Sequence, residues 1–120
     1  MRKRLLSLLF LSLYGSMLFA QEPLDINDVE RVPLGDFTYQ WRNIYDRTPL
    51  HGKCRIILSY RSYTIAHFNK DGILDGLYEK YEDNHLVQKL TYVKGILRGK
   101  GYEYYTDGTV KKECVWNEQG

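Results

Sequence analysis

The chain is poor in the residues from which most protein chemistry is built. It has two cysteines, Cys54 and Cys114, too few for a disulfide framework or a paired C-x-x-C metal knuckle. Its three histidines, His51, His67 and His85, are scattered singly. No G-x-S-x-G nucleophile elbow, glycine-rich phosphate loop or H-E-x-x-H helix occurs, which leaves the commonest hydrolytic and nucleotide chemistries without a carrier. After residue 20 there is no long apolar run, and a membrane-spanning helix needs about 20 such residues. A strong excess of one charge is also missing. The formal net charge is +2. Taking away Arg2, Lys3 and Arg4 with the first 20 residues removes no acidic group and turns +2 into −1. Such a balance does not favour a nucleic-acid partner.

What is present begins with a targeting segment. Met1-Arg2-Lys3-Arg4 is basic, Leu5 to Leu13 is almost wholly apolar, and Leu18-Phe19-Ala20 precedes Gln21 with a small residue at the cleavage position. Residues 1–20 are therefore expected to be a signal peptide, and the mature protein to be exported: periplasmic, associated with the outer envelope, or secreted. No cysteine stands directly after the apolar stretch, so a lipid anchor is not indicated.

The mature chain fits one domain. Residues 21–48 read as an N-terminal arm and capping strand. Segment 21–34 is acidic, holds two prolines and shows no period, so it is expected to be loosely ordered. Phe37 to Arg42 alternates apolar and polar, as a half-buried strand does, and Asp46-Arg47-Thr48-Pro49 reads as a turn.

From residue 49 a period takes over. Phe68, Tyr92 and Trp116 are 24 positions apart, Ala66, Leu90 and Cys114 keep the same step, and so do Ser62, Leu86 and Val110. Each of three units opens with Leu-x-Gly, at Gly52, Gly76 and Gly99, and closes on glycine: 50–72, 74–95 and 97–120. A period of this length marks a repeat array whose units bury their apolar faces against one another. Within units two and three, alternating runs flank Asp83-Asn84-His85 and Thr106-Asp107-Gly108, which are hairpin signals. Unit one has no such turn near Arg61-Ser62 and reads as degenerate. The predicted fold is all-β, an antiparallel meander of hairpins. Phe68, Tyr92 and Trp116 are expected to stack in one column, and Leu86 to share a face with Leu90 and Tyr92. In that arrangement Cys54 and Cys114 stand five strand spacings apart, about 24 Å, beyond the ~7 Å reach of a disulfide.

Gly99-Lys-Gly-Tyr-Glu-Tyr-Tyr-Thr-Asp-Gly108 resembles the core of a MORN repeat, G-x-G-x-x-x-Y-x-x-G, and Gly76-Leu-Tyr-Glu-Lys-Tyr-Glu-Asp-Asn84 resembles the variant MORN repeat of bacterial proteins, G-x-[WY]-x-x-Y-x-x-[NG]. Unit one keeps Gly52, but Ile57 stands where the tyrosine belongs. The resemblance covers about 50–120. It implies hairpins laid side by side, structural glycines and aromatics, and an interaction module without shared catalysis; some members of the family are proposed to contact lipids and some bacterial arrays are labelled antitoxins.

The expected function is accordingly a non-catalytic, exported scaffold binding a protein, with an antitoxin or immunity-type role, or binding of lipid headgroups, as alternatives. Tyr78, Tyr81, Tyr102, Tyr104 and Tyr105 are the candidate contact surface. The open edge of the last strand permits strand pairing with a partner or a second copy. The histidines occupy three different places in the repeat and should not converge on a metal. Glu82, Asp83 and Asp107 fall at equivalent turns and read as turn formers rather than an acid–base pair. Lys94, Arg98 and Lys100 read as a solvated loop, a weak candidate for anionic lipid. No catalytic, cofactor or metal residue is assigned.

Overall fold

The computed structural model describes residues 22–35 and 37–117; residues 1–20, expected to be a signal peptide, lie outside the described residues. Along the chain run β1 (Leu24–Asp25), a 3₁₀ turn (Ile26–Asp28), β2 (Val29–Gly35), β3 (Thr38–Asn43), β4 (Gly52–Ser59), β5 (Ser62–Phe68), β6 (Leu74–Glu82), β7 (His85–Val93), β8 (Ile96–Leu97), β9 (Gly99–Tyr104) and β10 (Val110–Trp116). The protein is all-β. Its main sheet has the order β1-β4-β5-β6-β7-β9-β10, with β8 also on β7, and β2-β3 forms a separate two-stranded ribbon. Apart from the parallel pair β1·β4, all pairings are antiparallel, and all of these but β7·β9 join successive strands, a hairpin meander. The result is a slab of 52 × 38 × 25 Å.

The period is visible in the pairing register. Phe68 lies opposite Gly52, Tyr92 opposite Gly76 and Trp116 opposite Gly99. One step further in, Ala66 faces Cys54, Leu90 faces Tyr78 and Cys114 faces Gly101. The three opening glycines have φ of 80°, 122° and 75°, a region costly for residues with a Cβ. Room for an aromatic ring is not what requires glycine at 99, because a Cβ there would meet nothing within 4 Å; the positive φ is.

The third column departs from the expected face. Directly opposed residues share a face of a sheet. Between Lys80 and Tyr81 the register shifts, so that Gln88 faces Lys80 while Leu86 faces Tyr81. The same happens between Val110 and Lys112, leaving Val110 opposite Tyr104. Val87 and Lys111 are thus extra residues, 24 positions apart, and each bulge turns Leu86 or Val110 onto the side opposite Leu90 and Cys114. Unit one carries its shift on the first strand, between Ile57 and Ser59, and closes a tight turn through Tyr60-Arg61. Neither turn residue has a positive φ, which is why the usual Gly or Asn signal is missing there.

The N-terminal segment corrects a second expectation. Residues 24–35 are built into the fold rather than loose. β1 pairs along β4, Asp25 caps the 3₁₀ turn by accepting from the Asn27 amide at 2.8 Å, and β2 pairs with β3 through Pro33 opposite Tyr39. A two-stranded ribbon has free edges that tolerate a proline. The ribbon crosses the inner face of the sheet. Trp41 donates its amide to the Gly72 carbonyl at 2.8 Å, accepts from the Leu50 amide at 3.0 Å, and sets its ring 5.5 Å from that of Phe68. The core lies beneath it: Leu50, Cys54, Ile56, Ala66, Phe68 and Leu74 are buried, and Leu24, Ile26, Val29, Trp41, Leu58, Tyr78 and Tyr92 pack around them. Each large apolar side chain buried this way contributes about 1.5–3 kcal/mol.

Candidate interaction surfaces

The ribbon covers the inner face only over unit one and part of unit two. Beyond it the same face is open. Leu90, Leu97, Cys114 and Trp116 line a groove of about 200 Å³ floored by Gly101, with Gln88, Glu103 and Lys112 among its polar lining. The Trp116 ring packs over Gly101, in the space that a side chain there would fill. β10 ends the sheet order, so its outer edge has no strand partner among the described residues. Val110 and Val115 on it are 52% and 67% exposed.

The opposite, outer face carries most of the tyrosines singled out in the sequence. The rings of Tyr63 and Tyr81 stack at 5.0 Å, and the Arg55 guanidinium sits 4.3 Å over Tyr63. Tyr102 and Tyr104 stack at 6.0 Å near the β10 end, and Tyr105 is exposed with the Lys111 ammonium 5.9 Å over its ring. Burial, with the nearby Glu79 carboxylate and the Tyr63 phenol, raises the Tyr81 phenol above its ordinary value, so it stays a hydrogen-bond donor. Tyr78 is the exception. It lies on the inner face, edge-on to Tyr92 at 5.9 Å and against the core, so it is a packing residue and not part of the contact surface. Tyr63, on β5, was absent from the sequence reading; the alternation Tyr63, Ile65, His67 along one strand face was the signal that could have found it.

The turn carboxylates are committed to local structure. Asp83 accepts from Arg61 at 3.0 Å, Glu82 lies 3.5 Å from Lys80, and Asp107 accepts from the Thr109 amide at 2.9 Å and its hydroxyl at 2.7 Å. The Thr109 amide hydrogen bond is the main reason that the Asp107 carboxyl titrates below the usual range. Lys100 lies 3.5 Å from Glu113 and Arg98 donates to the Leu97 carbonyl, so the basic loop is also engaged. His51 and His85 are exposed at two separate places, while His67 is half-buried with Nδ1 3.1 Å from the Leu77 carbonyl. Among the described residues no group of three His, Cys, Asp or Glu side chains is placed to hold a metal ion, and no helix is long and apolar enough to cross a membrane.

No family model and no curated protein matches the chain. Among solved structures, the crystal structure of TarM is similar over 75% of this chain, at 14% identity and a TM-score of 0.40, and the matched region spans 17% of that longer protein.

Proposed function

We propose that this chain is an exported, non-catalytic binding module, a variant MORN-type array that captures a protein partner at the open edge of β10. The observation that carries the reading is the combination at that end of the sheet. A terminal strand with exposed Val110 and Val115 is flanked on the inner face by the Leu90–Cys114–Trp116 groove and on the outer face by Tyr102 and Tyr104, with exposed Tyr105 at the turn that leads into it. A strand edge supplies main-chain hydrogen bonds to an incoming extended segment, and side-chain pockets on both faces supply the selectivity. Tyrosine is well suited to such contacts because it offers a large, stiff ring with a polar tip. Lys111, Lys112 and Glu113 keep the edge from pairing indiscriminately.

The test is photo-crosslinking in cells that make the full chain. A photoreactive residue at Val115 or Tyr105 is expected to give a discrete heteromeric adduct, and the same residue at Lys53, on β4, is not. Adducts only between copies of the chain would assign the edge to self-association, and no adduct at either Val115 or Tyr105 would remove the reading.

A further inference from the structure

At the other end of the sheet, away from β10, the outer face holds a groove of about 510 Å³, within the ~300–1,000 Å³ usual for small-ligand sites. It lies between the turn joining β4 to β5 and the turn joining β6 to β7. The Asp83 amide donates to the Arg61 carbonyl at 2.9 Å, and the Arg61 guanidinium donates to the Asp83 carboxylate at 3.0 Å. The two turns are therefore tied to each other, and the groove is preformed.

Its charges do not cancel. Arg61 is neutralised by Asp83. Arg55 has no carboxylate partner among the described residues; it is held by stacking on Tyr63 at 4.3 Å. That contact holds the guanidinium at the groove, and no hydrogen bond joins its N–H fork to an acceptor among the described residues. Such a fork matches a carboxylate bidentately. Tyr60 projects at the mouth, 92% exposed, with the Arg61 guanidinium 5.5 Å over its ring. Ser59, Ser62 and Asn84 also line the groove, and no hydrogen bond of their side chains to other described residues competes with a ligand.

Main-chain groups contribute little here. The groove lies on a sheet face, and the strands beneath it spend their amides and carbonyls on one another. An acidic peptide recognised through its backbone would need an edge. A ligand for this groove must be recognised through side chains: one carboxylate by Arg55, several hydroxyls by Ser59, Ser62 and Asn84, and an apolar C–H face by the Tyr60 ring. We infer that this groove binds a carboxylated oligosaccharide, a sugar chain containing uronic-acid units.

The test is a titration of the isotopically labelled full chain with trigalacturonate, followed by amide NMR, with maltotriose and hexaglutamate as parallel probes. Trigalacturonate is expected to shift the amides of Arg55, of Ser59 to Tyr63, and of Asp83 and Asn84. Losing a charge-assisted pair corresponds to about tenfold or more in affinity, so Arg55→Gln should weaken binding by that factor. Tyr60→Ser, at a position too exposed to disturb the fold, should weaken it several-fold and serves as the control should Arg55→Gln unfold. Shifts confined to other regions, equal binding of maltotriose, or binding of hexaglutamate as tight as the sugar acid would each overturn the inference.

Discussion

The ring of Trp116 rests directly on the backbone of Gly101, so closely that a Cβ at 101 would stand 2.5 Å from Cζ3 of the ring and 2.8 Å from Cδ2 of Leu90. Gly101 does not have a positive φ, so its absence of a side chain serves packing alone. Gly101→Ala is predicted to destabilise the protein by about 1–3 kcal/mol through overpacking, measured by urea denaturation. Combining it with Trp116→Ala should recover most of that loss, with a remainder from Leu90.

That contact also shows what could be read from the sequence. The 24-residue spacing is a spacing of hairpins, and Phe68, Tyr92 and Trp116 become equivalent in register, each facing an opening glycine; they stand on non-adjacent strands, so the expected column of stacked rings does not form, and Phe68 meets Trp41 and Tyr92 meets Tyr78 instead. The face of Leu86 and Val110 was not legible. A bulge adds one residue without changing the period, and nothing in the residue types at Val87 or Lys111 announces it. The N-terminal ribbon was half legible. β3 alternates clearly, but β2 contains Pro33 and draws its order from pairing with β3 and from Trp41 docking on Phe68, both of which are tertiary. Of the surfaces, the tyrosines at 81, 102, 104 and 105 were visible by type. The Arg55–Tyr63 stack depends on strand pairing and was not.

Docking of the ribbon depends on one turn. Gly72 has φ of +79°, and a Cβ there would lie 2.5 Å from the Trp41 carbonyl oxygen, a backbone atom that cannot rotate away. Gly72→Ala is predicted to cost about 2–4 kcal/mol from strain and clash together. A red shift of tryptophan emission before the main thermal transition would mark Trp41 leaving Phe68 ahead of global unfolding. A variant as stable as the parent would show that the ribbon is not anchored at this turn.

The two thiols should behave differently. Cys54 is 1% exposed and burial raises its thiol pKa, whereas Cys114 is half-buried on the edge strand. The thiolate is the reactive form. Native iodoacetamide treatment is expected to give a single adduct at Cys114, with Cys54 modified only after denaturation, as read by peptide mass spectrometry. An intact mass short of two hydrogens in the monomer would mean an intramolecular disulfide, and with it a chain in which β4 and β10 are not separated by the intervening strands.

Alkaline pH should open the inner face. Burial is the largest cause raising the phenol pKa of both Tyr78 and Tyr92 above 10.0; a Thr64 hydrogen bond and the Arg31 charge pull Tyr78 partly back, and the Tyr78 neighbour pushes Tyr92 further. The folded-state values exceed those of the unfolded chain, so the neutral phenols favour the native state. Their contribution is complete below about pH 10 and is lost as pH rises through the folded-state values. Denaturation midpoints measured from pH 8 to 12 are therefore expected to hold steady and then fall. Tyr78→Phe and Tyr92→Phe should each flatten that fall, because a ring without a phenol has no proton to lose. An equal alkaline slope in parent and both variants would place the loss of stability elsewhere than in this pair of rings.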